Sequence, residues 1–182
     1  NTDDTDVYYK GNTDKQLPLA AAVTYTLDGV EKPLEELLGQ SGHLVVTVTL
    51  TNQTAEKLTV DGGERTIVTP FVTAVGVILG QNASNVNAEH GLLESAAKSS
   101  VAAFVTLPGV REALDGLLPS SVSALEDYLQ DTVTVEADVE DLTAPQILIA
   151  SAASAEALGQ GDVFDFGDVS TLTDGIAQLN DA

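Results

Sequence analysis

LDGVEKPLEELLGQSGHLVVTVTLTN, residues 27–52, is the stretch whose reading decides the fold. Its last part, residues 44–51, alternates strictly, with Leu44, Val46, Val48 and Leu50 on one face and Val45, Thr47, Thr49 and Thr51 on the other. A period of two rich in Val and Thr is the pattern of a half-buried strand. Before it, Pro33 and Gly39 bracket one apolar turn, Leu34-Glu35-Glu36-Leu37-Leu38, and this order suits a short helix with Pro at its first position. Upstream, Asp28-Gly29 ends another alternating strand that carries Val23, Tyr25 and Leu27. Strand, turn, short helix, turn and strand together predict a β-domain.

Working outward, residues 58–60 read as a short strand, 61–63 as a turn, and a return strand starts at Arg65. Residues 67–79 carry almost no charge and predict a strand covered on both faces, with Gly76 marking a bulge or a close backbone approach. A hairpin is expected over 91–107 with its tip at Lys98-Ser99-Ser100, placing Val101, Ala103, Val105 and Leu107 on one face. Residues 110–117 predict a short helix and 124–130 another helical turn. Residues 132–139 alternate with Val133, Val135, Ala137 and Val139 inward, and 147–150 predict a buried strand. The fold class is therefore mainly β. It is expected to be an antiparallel β-sandwich-like domain over 1–155 with two or three short helices, an acidic linker over 156–169 and a C-terminal helical stump over 170–182. In that stump Leu172, Ile176 and Leu179 recur at helical spacing, the set expected to mediate oligomerisation. A helix so short is marginal alone in water.

The chain of 182 residues holds 7 basic and 28 acidic side chains, a net charge of −21. Nucleic acid is excluded as a partner class because phosphate contacts need clustered Lys and Arg. An anionic membrane surface would repel the chain as well. With no Cys there is no disulfide framework, thiolate metal site or cysteine nucleophile. A chain that opens at Asn1 without any Met is expected to be an excised or processed piece. The longest uncharged apolar run, near residues 67–80, is too short to span a bilayer.

Signatures of catalysis are sparse, and no enzymatic activity and no cofactor are expected. His43 and His90 are the only histidines, and both read as hydrogen-bonded residues beside turns. Glu136 and Asp138 share a strand face, the arrangement of a glycosidase pair, but an exposed acidic face is strongly the favoured reading. Asp162, Asp165 and Asp168 in a Gly-containing loop offer the hard oxygen ligands that Ca²⁺ prefers, though not at EF-hand spacing. Lys10 and Lys57 are the donors to consider for an intramolecular isopeptide bond. Asn52-Gln53-Thr54 and Asn82-Ala83-Ser84 match the glycosylation sequon by chance.

The tail carries LTDG at 172–175 and LNDA at 179–182, seven residues apart. It resembles the start of the X-X-X-Leu-X-X-Gly heptad array of phage-infection-protein (YhgE/Pip-like) bacterial membrane proteins. YYKG (8–11), LP (17–18), TYTLDG (24–29), EELLGQSGHL (35–44), TLPG (106–109) and ADVEDL (137–142) resemble, in order, the β-rich ectodomain that leads into such arrays. Gln40 and Ala182 depart from the family pattern, which prefers Lys and Gly there. The resemblance implies the outer face of a Gram-positive cell membrane and a surface-exposed binding or scaffold domain of a multi-spanning protein, a phage-adsorption receptor region. It also implies attachment to the membrane through segments outside this chain, and protein partners such as phage or secretion components. Two other expectations stand beside it: an accessory ectodomain of an export permease, and a calcium-dependent adhesion module.

Overall fold

The computed structural model describes residues 17–60, 63–96, 99–114 and 127–153. They form two antiparallel sheets and one separate hairpin. The strands are β1 (Leu19–Leu27), β2 (Val30–Glu31), β3 (Gly42–Asn52), β4 (Glu56–Val60), β5 (Gly63–Ile67), β6 (Val72–Gly80), β7 (Ala83–Asn87), β8 (Leu92–Ala96), β9 (Ser99–Thr106), β10 (Thr132–Val139) and β11 (Gln146–Ala152). Two one-turn helices interrupt them, α1 (Leu34–Leu37) and α2 (Val110–Ala113). One sheet runs β2-β1-β3-β10-β7, the other β11-β6-β9-β8, and among the described residues β4 pairs only with β5.

The core follows from strand parity. On β3 the even residues Leu44, Val46, Val48 and Leu50 are buried, and their cross-strand partners Val133, Val135 and Ala137 on β10 are buried with them. From the second sheet Val75, Val77, Leu79, Ala102 and Phe104 close the same cluster. Leu37, the single buried residue of α1, plugs it and is fully enclosed. Pro33 sits one place earlier than expected, at the N-cap, while Gly39 at φ +78° ends the turn. Asp28 (φ +50°) and Gly29 (φ +78°) make the two-residue β1–β2 turn, and two successive positive φ values match the right-handed strand twist.

A second, smaller cluster lies on the outer side of the β11-β6-β9-β8 sheet. Val72 on β6 and Val105 on β9 point away from the main core and pack with Leu107, Val110, Leu114 and Leu129. Leu107 N donates to Tyr128 O (2.8 Å), and Arg111 Nε donates to Leu129 O (3.0 Å), which holds the 127–131 segment across this face. Residues 72–77 are thereby buried on both faces, as their composition predicts.

Several expectations need correction. The apolar run over 67–79 is not one strand, because Pro70 has no N–H for a ladder. Ile67 therefore ends β5, and β6 begins at Val72. Gly76 marks no bulge, since it pairs in unbroken register with Ala103 on one side and Leu148 on the other. On β9 Val101, Ala103 and Val105 do share one face, as expected; it is the outer one, while Ala102, Phe104 and Thr106 face the main core. The polar stretch after Gln81 contains the edge strand β7. Strand β11 is not buried. It is a sheet edge, with Leu148 38% and Ile149 41% exposed. The acidic linker and the helical stump lie outside the described residues.

Candidate functional site

Two features of the surface rise above the ordinary, a polar constellation at one end of the first sheet and an apolar hollow at its open side. The polar one begins at the Asp28-Gly29 turn. Asp28 N donates to His43 O and His43 N donates back to Asp28 Oδ1, both at 2.9 Å. Gly42 sits where a Cβ would fall 2.6 Å from Asp28 Oδ2, so only glycine admits that carboxylate. Strand register then places His43 opposite Asp138 on β10. His43 Nδ1 lies 3.0 Å from Asp138 Oδ1, and Asn85 Nδ2 donates to Asp138 Oδ2 at 2.8 Å.

The hydrogen bond to Asp138, reinforced by the negative field of Asp138, Glu136 and Asp28, raises the His43 pKa above its usual value. In turn, hydrogen bonds from Asn85 and then from His43 lower that of Asp138. Both side chains are half exposed. A depressed carboxylate suits an ion-pair acceptor and not the proton donor that glycosidic cleavage requires. Glu136 and Asp138 do share the outer face of β10, as the period of two predicts, on an open sheet surface. His90 stands in a turn at φ +60°, with Nδ1 3.1 Å from Asp127 Oδ1.

The hollow is apolar, and it lies between two sheet edges. Register with β3 turns Leu19, Ala21, Val23, Tyr25 and Leu27 of β1 inward. β2 covers only the last two positions of β1, pairing Thr26 with Glu31 and Leu27 with Val30. Across the gap lies β11, whose Ile149 and Ser151 also point inward. A hollow of about 260 Å³ is left between them, floored by Leu50 and walled by Leu19, Ala21, Phe71 and Ile149, with Leu17 at its rim. Among the described residues no charged side chain lines it.

In the sequence Asn52 reads as the start of a sequon. It is 7% exposed and ties three segments together. Its Nδ2 donates to Thr69 O (2.8 Å) and Pro108 O (3.0 Å), and its Oδ1 accepts from Thr54 N (3.0 Å) and Thr54 Oγ1 (2.7 Å). Thr54 Oγ1 in turn accepts from Thr69 N. Both amide hydrogens are committed inside the fold, so this sequon is structural. Asn followed two places on by Thr is the signature of such a side-chain-to-backbone turn, and that signal was in the sequence.

Lys57 is exposed on the β4–β5 hairpin opposite Thr66, not buried beside an amide or acid as an isopeptide bond requires. Among the described residues no three His, Asp or Glu side chains gather as a metal site. Asp162, Asp165 and Asp168, Leu172, Ile176 and Leu179, and Lys10 lie outside the described residues. Comparison with models of protein families, with curated proteins and with solved structures gave no match.

Proposed function

We propose that this chain is an extracytoplasmic, non-catalytic binding or scaffold domain of a multi-spanning bacterial membrane protein, one able to serve as a phage-adsorption region. The observation that carries this proposal is the meeting of the two ends of the sandwich. Leu17, where the described body begins, and Ser151, next to its end, line the same hollow. The first and last described residues therefore lie on one side of the described body. Adjacent ends are what a domain set into a longer chain needs, because flanking segments then connect without crossing the body. The ordered sequence motifs support the same setting, and the net charge of −21 suits an exposed, self-repelling surface.

The test is topological. An epitope placed in the exposed β4–β5 hairpin of the full-length gene product should be reached by antibody on intact protoplasts and should sediment with membranes. An epitope reached only after lysis, or recovered in the soluble fraction, overturns the proposal. A second function is favoured by the hollow itself. As an apolar groove beside strand edges that are unpaired among the described residues, it would suit an accessory ectodomain of an export permease that guides an extended secreted segment. Deletion of the domain would then lower secretion while leaving phage adsorption intact.

A further inference from the structure

A carboxylate has two oxygens, and Asp138 commits them to two different strands. Oδ1 lies 3.0 Å from His43 Nδ1 on β3, and Oδ2 accepts from Asn85 Nδ2 on β7 at 2.8 Å. One side chain of β10 thus joins both of its neighbours. On the β3 side it stands beside an unbroken ladder that runs from Thr132–Thr49 to Val139–Gly42. On the β7 side the ladder is poor. Its register is Glu136 with Asn87, Asp138 with Ser84 and Val139 with Ala83, so β7 uses one more residue than β10 between the first two pairs. That is a bulge, and an extra residue in a bulge drops out of the ladder. Asn85 lies within it at φ +50°, a left-handed conformation that Asn adopts more readily than most residues. Its side chain then bonds Asp138 across the gap, and Ser84 Oγ donates to Asp138 O at 3.3 Å. Behind the bulge, Ala83 and Val86 pack against the main core.

We propose that Asp138 is an acid-sensitive latch: its carboxylate holds the bulged strand β7 on the sheet through Asn85, and its protonation releases β7 while β3 and β10 stay paired. A carboxylate only accepts hydrogen bonds, whereas a carboxylic acid carries an O–H on one oxygen. Both oxygens of Asp138 face N–H donors, so a proton arriving from solvent displaces one of the two. His43 stays, because in acid its imidazole is charged and makes the stronger, charge-assisted bond. Asn85 offers a neutral amide and leaves. The charged groups around the latch are His43 from β3, Glu136 from β10, and Asp28 from the β1–β2 turn, which accepts from His43 N. β7, Ala-Ser-Asn-Val-Asn, adds no titratable group. Hydrogen bonds from Asn85 and then His43 lower the Asp138 pKa from 3.8, so the latch is closed above that value and opens as pH falls through a lower one. Rising pH does not open it, since loss of the His43 proton leaves the Oδ2 bond in place. Asp138 is half exposed, and a bond so exposed is weak. It suffices because the strand it holds is short and irregularly paired, the kind of unit that opens locally at low cost.

Native-state hydrogen exchange of the full chain, followed by NMR, reads the latch. Protected amides of Ala83–Asn87 should lose at least about threefold in protection factor as pH is lowered from about 5.5 to about 2, while those of Val46, Val48 and Val135 hold within about twofold. Asn85→Gly removes the amide but keeps the left-handed backbone and the Asp138 charge. Its β7 amides should show the low, acid-like protection already at about pH 5.5 and no further acid loss. Asp138→Asn, with one acceptor oxygen at every pH, should behave the same way. His43→Ala leaves the Asn85 bond intact, so β7 protection at about pH 5.5 should stay within about twofold of the unmodified chain. Four results would each overturn the proposal. Residues 83–87 that are unprotected at about pH 5.5, or equally protected at both pH values, leave nothing for the latch to hold. An acid loss that persists in Asn85→Gly places the titrating group elsewhere. A loss shared by Val46 and Val48 is general acid unfolding and not release of one strand. A fall in His43→Ala as large as in Asn85→Gly makes the imidazole, not the amide bond, the support of β7.

Discussion

Replacing Asn52 by Ala tests whether one buried amide holds the β4–β5 hairpin and the 107–109 turn to the sandwich. The substitution removes two donated and two accepted hydrogen bonds at 2.7–3.0 Å. Only the bond to Pro108 O is fully buried, so that carbonyl bears the full cost of an unmet acceptor, about 1–3 kcal/mol. Thr69 O, Thr54 N and the Thr54 hydroxyl are closer to water, and each loses about 0.5–1 kcal/mol of net bonding. The expected loss is therefore about 2.5–6 kcal/mol, a large share of the roughly 5–15 kcal/mol typical of a domain. Urea unfolding followed by circular dichroism reads it as a lowered midpoint at unchanged slope. Asn52→Asp should be at least as harmful, because it aims a carboxylate at the two carbonyls that the amide served. Gln53→Ala, at an exposed neighbour, should change stability by less than about 0.5 kcal/mol. A loss below about 1 kcal/mol for Asn52→Ala would refute the role assigned to this side chain.

Leu37→Ala empties a fully enclosed site that a one-turn helix supplies to the core, and calorimetry should show a loss of about 2–5 kcal/mol. Gly42→Ala forces a methyl against the Asp28 carboxylate at a backbone φ of +155°, and a cost of about 1–3 kcal/mol is expected from chemical denaturation. The His43–Asp138 pair predicts a pH dependence with a definite sign. His43, raised from 6.5, contributes stability that is complete below that value and is lost as pH climbs through its folded pKa. Asp138, lowered from 3.8, contributes stability that is present above that value and is lost as pH falls through its folded pKa. The joint contribution is therefore greatest between 3.8 and 6.5, and NMR titration of the His43 ring should show its midpoint fall in Asp138→Asn.

How much of this was legible depended on whether the signal was local. The strict alternation of residues 44–51 and 132–139 assigned β3 and β10 and their buried faces, because a period of two admits one sorting when only one side is apolar. Asp28-Gly29 announced a tight hairpin, because its geometry requires two residues that tolerate positive φ. By contrast, β11 and β6 are both apolar runs, and nothing local distinguishes an edge from a centre. Pairing alone made β6 the middle of a sheet and left Ile149 beside an open hollow. His43 and Asp138 are 95 residues apart, and only the β3–β10 register brings them to 3.0 Å. Asn52 could be recognised as the start of a side-chain turn, but its carbonyl partners come from segments 17 and 56 residues away.

By itself the sequence determined a mainly β chain, which residues of its alternating strands would be buried, where its turns fall, and an acidic balance with a net charge of −21. Those properties reside in neighbouring residues and in composition. Only the tertiary structure decided which strands are edges among the described residues, that a second small core packs on one outer face, and that β1 and β11 flank an apolar hollow. Such facts depend on which distant segments pair, and pairing is settled by the burial that all the strands achieve together.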